Sequence, residues 1–320
     1  MKKVLLGLAL AGVGFASAGE GIKVNGALTT YFLYVGQNQN TPDAQKTIFD
    51  AGSALVTVSK KKGNFGYTFI GGAYAVPVVG SLPPTAASTT LLFSGVPVAY
   101  IDYSLAKSFN ISVGRLPTII GYETFATALN DYIQRGIVWN QQPVVHHGIR
   151  LSYTGGNISA IFGVNDGLFS LGPNLKGGNF TPGVELGIGA SLMDNLSLSL
   201  AGLFISNSAL NNPNDERDFQ GNLIVAYNMG AITVALDTLF FNSGADETNN
   251  QGFALHAKYE GKAFGVAGRI EYEDVNKATA FTLTPSYKHG NYFVRLEGSY
   301  YSPEQGDAVV SGGFEAGFIF

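Results

Sequence analysis

The chain of 320 residues carries a formal net charge of −4, contains no cysteine, and has charged side chains at only 13 % of its positions. An acidic balance with no basic stripe in the sequence argues against a nucleic-acid partner. Lacking cysteine, a secreted chain of this size must hold itself together without disulfides.

In chain order, Lys2 and Lys3 give a short basic start, Val4 to Phe15 is an uncharged apolar run, and Ala16-Ser17-Ala18 is a small-x-small site. That order predicts a secretory signal peptide over residues 1–18, with one domain over 19–320. The apolar run is short for a bilayer anchor, and no later stretch is long and apolar enough for a membrane helix. Yet 46 % of the residues are hydrophobic, so the hydrophobicity is dispersed, as alternating strands disperse it.

Alternation starts at once. Ile22, Val24, Leu28, Phe32 and Tyr34 share one parity, as do Phe65, Tyr67 and Phe69. The same holds for Val184, Leu186 and Ile188, for Leu196, Leu198, Leu200 and Phe204, and for Phe264, Val266, Ile270 and Tyr272. The opposite parity is mostly Gly, Ser, Thr, Ala, Asn and charge. Tight connections at 60–64, 107–110, 154–157, 193–195, 228–230, 260–262 and 288–291 carry the Gly, Asn and Asp that hairpin turns need. Longer polar stretches lie between them, at 37–46, 77–94, 117–146, 165–181, 206–218, 243–251, 274–277 and 302–307. Short turns and longer loops in strict alternation predict about sixteen strands, or fourteen if the poorly alternating second and fourth are discounted.

Two architectures suit such a pattern: a soluble sandwich or barrel, and a bilayer barrel with its apolar parity toward lipid. The second parity is too polar and too small-sided for a solvent face rich in Lys and Glu, and suits a water-filled lumen. In a bilayer every backbone polar group needs an internal partner, so the strands must close without an edge. The expectation is an all-β, transmembrane, antiparallel up-and-down β-barrel with aromatic girdles, short turns on one side and longer loops on the other.

The lumen-facing parity supplies Lys23, Arg150, Lys258, Arg269 and Arg295 against Asp102, Glu185, Asp237, Glu271, Glu297 and Glu315, with His256 beside them. A near balance of signs predicts weak charge selectivity. Lys258 with Glu260, Arg269 with Glu271 and Arg295 with Glu297 stand two apart on one face, where salt-bridged pairing is expected. The long connection 117–146 contains Trp139, Tyr122, Phe125 and Tyr132, and so can pack against something. Within it Glu123, Asp131 and Arg135, together with Arg115 just before it, are the candidates for a mixed pore constriction. Arg115 breaks parity: it follows Ile111 and Val113, and must lie at the rim or be turned inward by a bulge.

The chain finishes on GGFEAGFIF, where Phe314, Phe318 and Phe320 alternate with Glu315. This resembles the closing strand of bacterial outer-membrane barrels, whose terminal Phe is read by the barrel-assembly machinery. Gly114-Arg115, Gly121-Tyr122-Glu123, the Tyr132/Arg135 spacing and Pro143-Val144-Val145-His146-His147-Gly148 together resemble the OmpL-like beta-barrel porin family. The resemblance implies an outer-membrane porin: a water-filled channel for passive diffusion of ions and small polar solutes, with no cofactor. It also implies contact with outer-membrane lipid and lipopolysaccharide, and resembles general porins in allowing a homotrimer. The position of the long loop, between the fifth and sixth strands, is that of the lumen-folded loop of sixteen-stranded diffusion porins.

Other chemistry is weakly signalled. His146 and His147 are adjacent in a strand and point oppositely, which disfavours a shared metal. Asp215, Glu216 and Asp218 read as a solvated surface cluster, and no nucleophile sits with a His in a recognisable motif. An enzyme is therefore not expected. The alternative from another class is a non-conducting surface barrel, an adhesin or lipid-binding protein with its lumen plugged.

Overall fold

A computed structural model describes residues 21–36, 47–81, 84–166, 182–205, 219–243 and 248–320. The expected signal peptide at 1–18 and the acidic cluster of Asp215, Glu216 and Asp218 lie outside the described residues. Among the described residues sixteen strands run in chain order. The first eight are β1 (Lys23–Val35), β2 (Thr47–Lys62), β3 (Phe65–Tyr74), β4 (Val98–Ala106), β5 (Phe109–Pro117), β6 (Val145–Gly155), β7 (Ile158–Asn165) and β8 (Gly183–Ser191). The second eight are β9 (Leu196–Ile205), β10 (Phe219–Met229), β11 (Ile232–Ser243), β12 (Thr248–Glu260), β13 (Phe264–Glu273), β14 (Ala278–His289), β15 (Tyr292–Ser302) and β16 (Val309–Ile319).

Each strand pairs antiparallel with its sequence neighbours, and β16 returns to β1, closing the barrel. At the seam Tyr31 faces Glu315 and Phe32 faces Phe314, and Gly26 and Phe320 exchange both backbone hydrogen bonds (2.9 and 3.0 Å). No edge remains to expose unpaired amides, which is what a bilayer demands. The sixteen-strand count agrees with the turn-and-loop reading; β2 alternates poorly because its pairing with β1 slips by one residue opposite Thr29/Thr30, and β4 because its pairing with β5 slips at Ser104/Ala106.

The two parities separate as the sequence predicts. Along β14, Thr279, Phe281, Leu283 and Pro285 are exposed, while Ala278, Ala280, Thr282 and Thr284 are buried. On β16, Phe314 faces out and Glu315 is fully buried inside. Close to the short turns, outward aromatics pair across strands: Phe65–Tyr103, Phe109–Tyr153, Phe264–Tyr287 and Tyr292–Phe318, with ring centroids 4.7 to 5.0 Å apart. Such a belt suits the level where hydrocarbon meets headgroups. At the β14–β15 turn Gly290 adopts φ +59°, a conformation that costs residues with a Cβ more than it costs glycine.

Residues 117–146 run inside the barrel, and part of 75–97 joins them. The strand residues at the contact are the inward-facing ones. Ile119, Ile120 and Val138 pack with Ile161, Ala201 and Leu239 from β7, β9 and β11. Phe125, Trp139 and Val144 pack with Leu55, Ile70, Tyr74 and Val98 from β2, β3 and β4. Ile133 packs with Tyr31 and Leu33 of β1. Arg135 and Val78 form a one-residue parallel bridge, with Arg135 N–H to Pro77 O at 2.7 Å and Val79 N–H to Arg135 O at 3.0 Å. A short helix, α1 (Ala86–Phe93), starts on Thr85, whose hydroxyl accepts from Ser88 N–H at 3.0 Å. The first amide of α1, on Ala86, donates to Asp50 of β2 at 2.8 Å.

Candidate functional site: the inner wall and the 117–146 loop

A loop inside a barrel brings backbone amides and carbonyls away from bulk water, and each needs a partner. Carboxylates of the inner wall meet the amides. Glu297 accepts from Ile133 N–H (2.6 Å), Gln134 N–H (2.9 Å) and the Thr284 hydroxyl (2.8 Å). Asp237 accepts from Tyr122 N–H (3.0 Å) and from the Asn222 amide (2.6 Å), while Asn222 accepts from Gly121 N–H (3.0 Å). Glu271 accepts from Val138 N–H at 3.2 Å. A Cβ on Gly136 would stand 2.0 Å from Glu271 Oε1, so the backbone can come this close only without a side chain there.

Arginines meet the carbonyls. Arg135, fully buried, donates to the carbonyls of Thr124 (2.7 Å), Phe125 (2.9 Å) and Ile133 (3.1 Å) and to the Thr127 hydroxyl (3.0 Å). Its five donors in a fixed fork tie two arms of the loop together. Burial pushes its pKa down to about 10, and the nearby Glu123, Glu315 and Glu297 carboxylates oppose that shift. Arg295 reaches Thr127 O (3.2 Å) and pairs with Glu315 (3.1 Å). Arg150 of β6 pairs with Glu185 of β8 (2.5 Å) and reaches Pro117 O, where the loop leaves β5 (2.8 Å).

Glu123 and Arg269 join loop to wall directly at 2.7 Å, and Glu123 also accepts from Gly136 N–H at 2.9 Å. Arg269 pairs in addition with Glu271 at 2.7 Å and lies over the Tyr132 ring, 4.4 Å from its centroid. Tyr132 gives its one hydroxyl proton to Gly268 O (2.9 Å), so His256 Nδ1, 3.2 Å from the same oxygen, is the ring nitrogen that carries hydrogen. Burial raises the Tyr132 pKa, which keeps that proton in place. Gln134 completes the dock, donating to Ser299 (2.9 Å) and Ser311 (3.0 Å).

The positions read from sequence divide into three groups. Arg150, Glu185, Asp237, Arg269, Glu271, Arg295, Glu297 and Glu315 lie on the inner wall at 6 % exposure or less, their partners being loop atoms, one another and neighbouring wall side chains such as Asn222 and Thr284. Lys258 and Asp131 pair at 3.3 Å with both side chains about a third exposed, and Asp102 is half-buried near the short-turn end, accepting from Ser112 and Asn110. Arg115 forms the third group, at the end of β5. Its cross-strand neighbours are Ala99 and the exposed His147, and its guanidinium donates to Val96 O at 3.0 Å. Strict alternation ends just before it: Gly114 sits at φ +140°, and Leu116 and Pro117 are both buried.

Two expected pairings changed partner or gained one. Arg295 pairs with Glu315, directly across from it in register, rather than with Glu297 two residues along its own strand. Lys258 has Glu260 at 3.7 Å but also Asp131 at 3.3 Å. His146 is buried and His147 exposed, and Asp166 lies between them, 3.8 Å from the first and 2.9 Å from the second. Among the described residues no group of three or more His, Cys, Asp or Glu is arranged to hold a metal. Sequence reasoning missed Asn222, Gln134, Gln142 and Gln220, amides whose only signal was their inward parity or their place in the loop.

The sequence matches the family described as "Putative beta-barrel porin-2, OmpL-like" over residues 21–317. Solved structures share its fold. A loop-deletion mutant of OmpT, an outer membrane protein of Vibrio cholerae, superposes with a TM-score of 0.62 at 13 % identity, covering 94 % of this chain and 99 % of that one. A mutant of the Rh. blastica porin gives a TM-score of 0.57 at 17 % identity, covering 94 % and 100 %. No curated protein matches the sequence.

Proposed function

We propose a function from this premise: the chain belongs to the OmpL-like beta-barrel porin family, and it is an outer-membrane porin of bacteria. In our reading it passes ions and small polar solutes down their gradients, with no enzymatic step and no cofactor. The 117–146 loop is its constriction, and the passage discriminates weakly by charge. The observation that carries this reading is the docking of the loop's backbone on Asp237, Glu271 and Glu297, which supports a loop held across the lumen instead of over its mouth. Glu123 and Arg135 act there as part of the loop's frame. Asp131 with Lys258 is the loop-to-wall ion pair that water reaches, and Arg115 contributes from the rim. Weak selectivity follows from the pairing of the wall charges, which leaves little excess of either sign.

A second reading is the non-conducting surface barrel. The burial of eight wall charges beneath the loop favours it, since a filled lumen conducts nothing. Planar-bilayer recording decides between the two. Purified folded protein gives discrete steps of small unit conductance in the porin reading, and a silent bilayer at several voltages would refute it. We carry three partners with the porin reading: a homotrimer, lipid with lipopolysaccharide around the barrel, and the assembly machinery at the β16 end.

A further inference from the structure

Lysines are unevenly shared around the short-turn rim. On the far arc Lys258 and Lys288 each have a carboxylate within reach, at 3.3 and 2.9 Å, and Lys262 stands in the β12–β13 turn. The arc from β1 to β5 differs. Lys60, Lys61 and Lys62 end β2, Lys107 occupies the β4–β5 turn and Lys23 begins β1. Register divides them by face. Lys60 lies across from Tyr67 and Lys62 across from Phe65, so both stand on the outer face. Lys61 lies across from Gly66 on the inner face, where its ammonium donates to Ser104 at 3.0 Å, and Lys23 lies across from the inward Ser59. Among the described residues of β1–β5 the acids are Asp50, at the long-loop end beside α1, and Asp102, on the inner face.

We propose that Lys60 and Lys62 on the outer face, with Lys107 in the neighbouring β4–β5 turn, form a binding surface for the headgroups of anionic phospholipid in the leaflet on the short-turn side. This rests on the membrane-barrel reading, not on conduction. Height supports it. The outward aromatic pairs Phe65–Tyr103 and Phe109–Tyr153 flank these two turns, and aromatic rings mark the boundary between hydrocarbon and headgroups. Lysines one step beyond that boundary run their aliphatic stems along the rings and place their ammonium groups among phosphates. Charge supports it as well. The chain as a whole is acidic at −4, so a cationic outer arc is a local departure from its field, and no carboxylate of β1–β5 is placed on that face to neutralise it. Basic clusters beside a membrane surface select anionic lipid for this reason.

The test is lipid retention. Full-length protein, exchanged into mixed phosphatidylglycerol and phosphatidylethanolamine, is examined by native mass spectrometry. The intact protein should keep phosphatidylglycerol over phosphatidylethanolamine by about threefold or more, and K60Q/K62Q/K107Q should lose that preference. K61Q, on the inner face, should keep it. Raising the salt from about 50 mM to about 500 mM should erase it without any substitution, through screening. Equal retention of the two lipids by the intact protein would overturn the proposal, as would a preference that survives in the triple variant or disappears in K61Q. Co-sedimentation with peptidoglycan sacculi that depends on the three lysines, without lipid preference, would assign the surface to that polymer and overturn it too. Bilayer conductance, recorded in parallel, reports the porin reading separately.

Discussion

Glu297→Gln perturbs the loop dock with the least change of shape. Glu297 offers two carboxylate oxygens to three donors: Ile133 N–H, Gln134 N–H and the Thr284 hydroxyl, at 2.6, 2.9 and 2.8 Å. The amide keeps one oxygen and turns an NH₂ group toward a backbone N–H, so one loop amide loses its acceptor. A hydrogen bond to a charged group contributes about 1.5–3 kcal/mol, and leaving a buried donor unpaired costs about 1–3 kcal/mol. These overlap and are not summed; about 2–3 kcal/mol is a fair magnitude, or roughly 30- to 150-fold in the docked-to-undocked ratio. Hydrogen exchange reads this directly. The amides of Ile133 and Gln134 should exchange faster in the variant by about that factor, while β14–β16 amides in the sheet remain protected. Single-channel records of the same variant should show more frequent current fluctuations. Unchanged exchange at both amides in a folded barrel would refute the claim that Glu297 holds the loop.

Arg135→Ala removes every donor that ties 124–127 to 133, and should change unit conductance or ion preference in bilayer recording, whereas Arg115→Ala at the rim should act less on both. Equal effects from the two would undo the separation drawn between them. Gly114→Ala puts a Cβ 2.3 Å from Ala99 O at a φ of +140°, and should lower the barrel's thermal stability by about 1–3 kcal/mol, read by the heat-induced shift in gel mobility. For Asp166, burial raises the carboxyl pKa, but the hydrogen bond with His147 at 2.9 Å and the nearby His146 outweigh it and the net shift is downward. A depressed carboxylate stabilises the fold above its unfolded pKa, and the contribution is lost as pH falls through the lower folded value. Denaturant titrations below about pH 4 should therefore show a loss that Asp166→Asn lacks.

The barrel was legible because its signal is local and repeated. Most strands declare their two faces residue by residue, as Phe314 and Glu315 do, and most short turns declare themselves by Gly or Asn, the Lys107-Ser108 turn being an exception. The inner site was legible only in part. Parity placed Asp237, Glu271 and Glu297 inside, but backbone amides have no sequence signature, so nothing announced that these carboxylates would meet a loop before they met water. Partner choice was hidden for a similar reason. Arg295 and Glu297 look paired along the strand, yet a direct cross-strand neighbour such as Glu315 is closer than a residue two along. Arg115 could be flagged as an exception to parity, but its surroundings depend on where the 95–98 segment crosses, which no local pattern encodes.

The β1–β16 seam has a kinetic consequence. Tyr31 and Glu315 are register partners at opposite ends of the described chain, and the ring cannot close until both strands are present. Contacts of such sequence separation bring their reward only after nearly all the chain entropy has been surrendered, which makes ring closure late and slow. Until then every strand between them shows an apolar face, with unpaired edges at both ends of the growing sheet, a state prone to clump in water. The covalent order of this chain thus sets a waiting time during which open sheet edges invite association between copies.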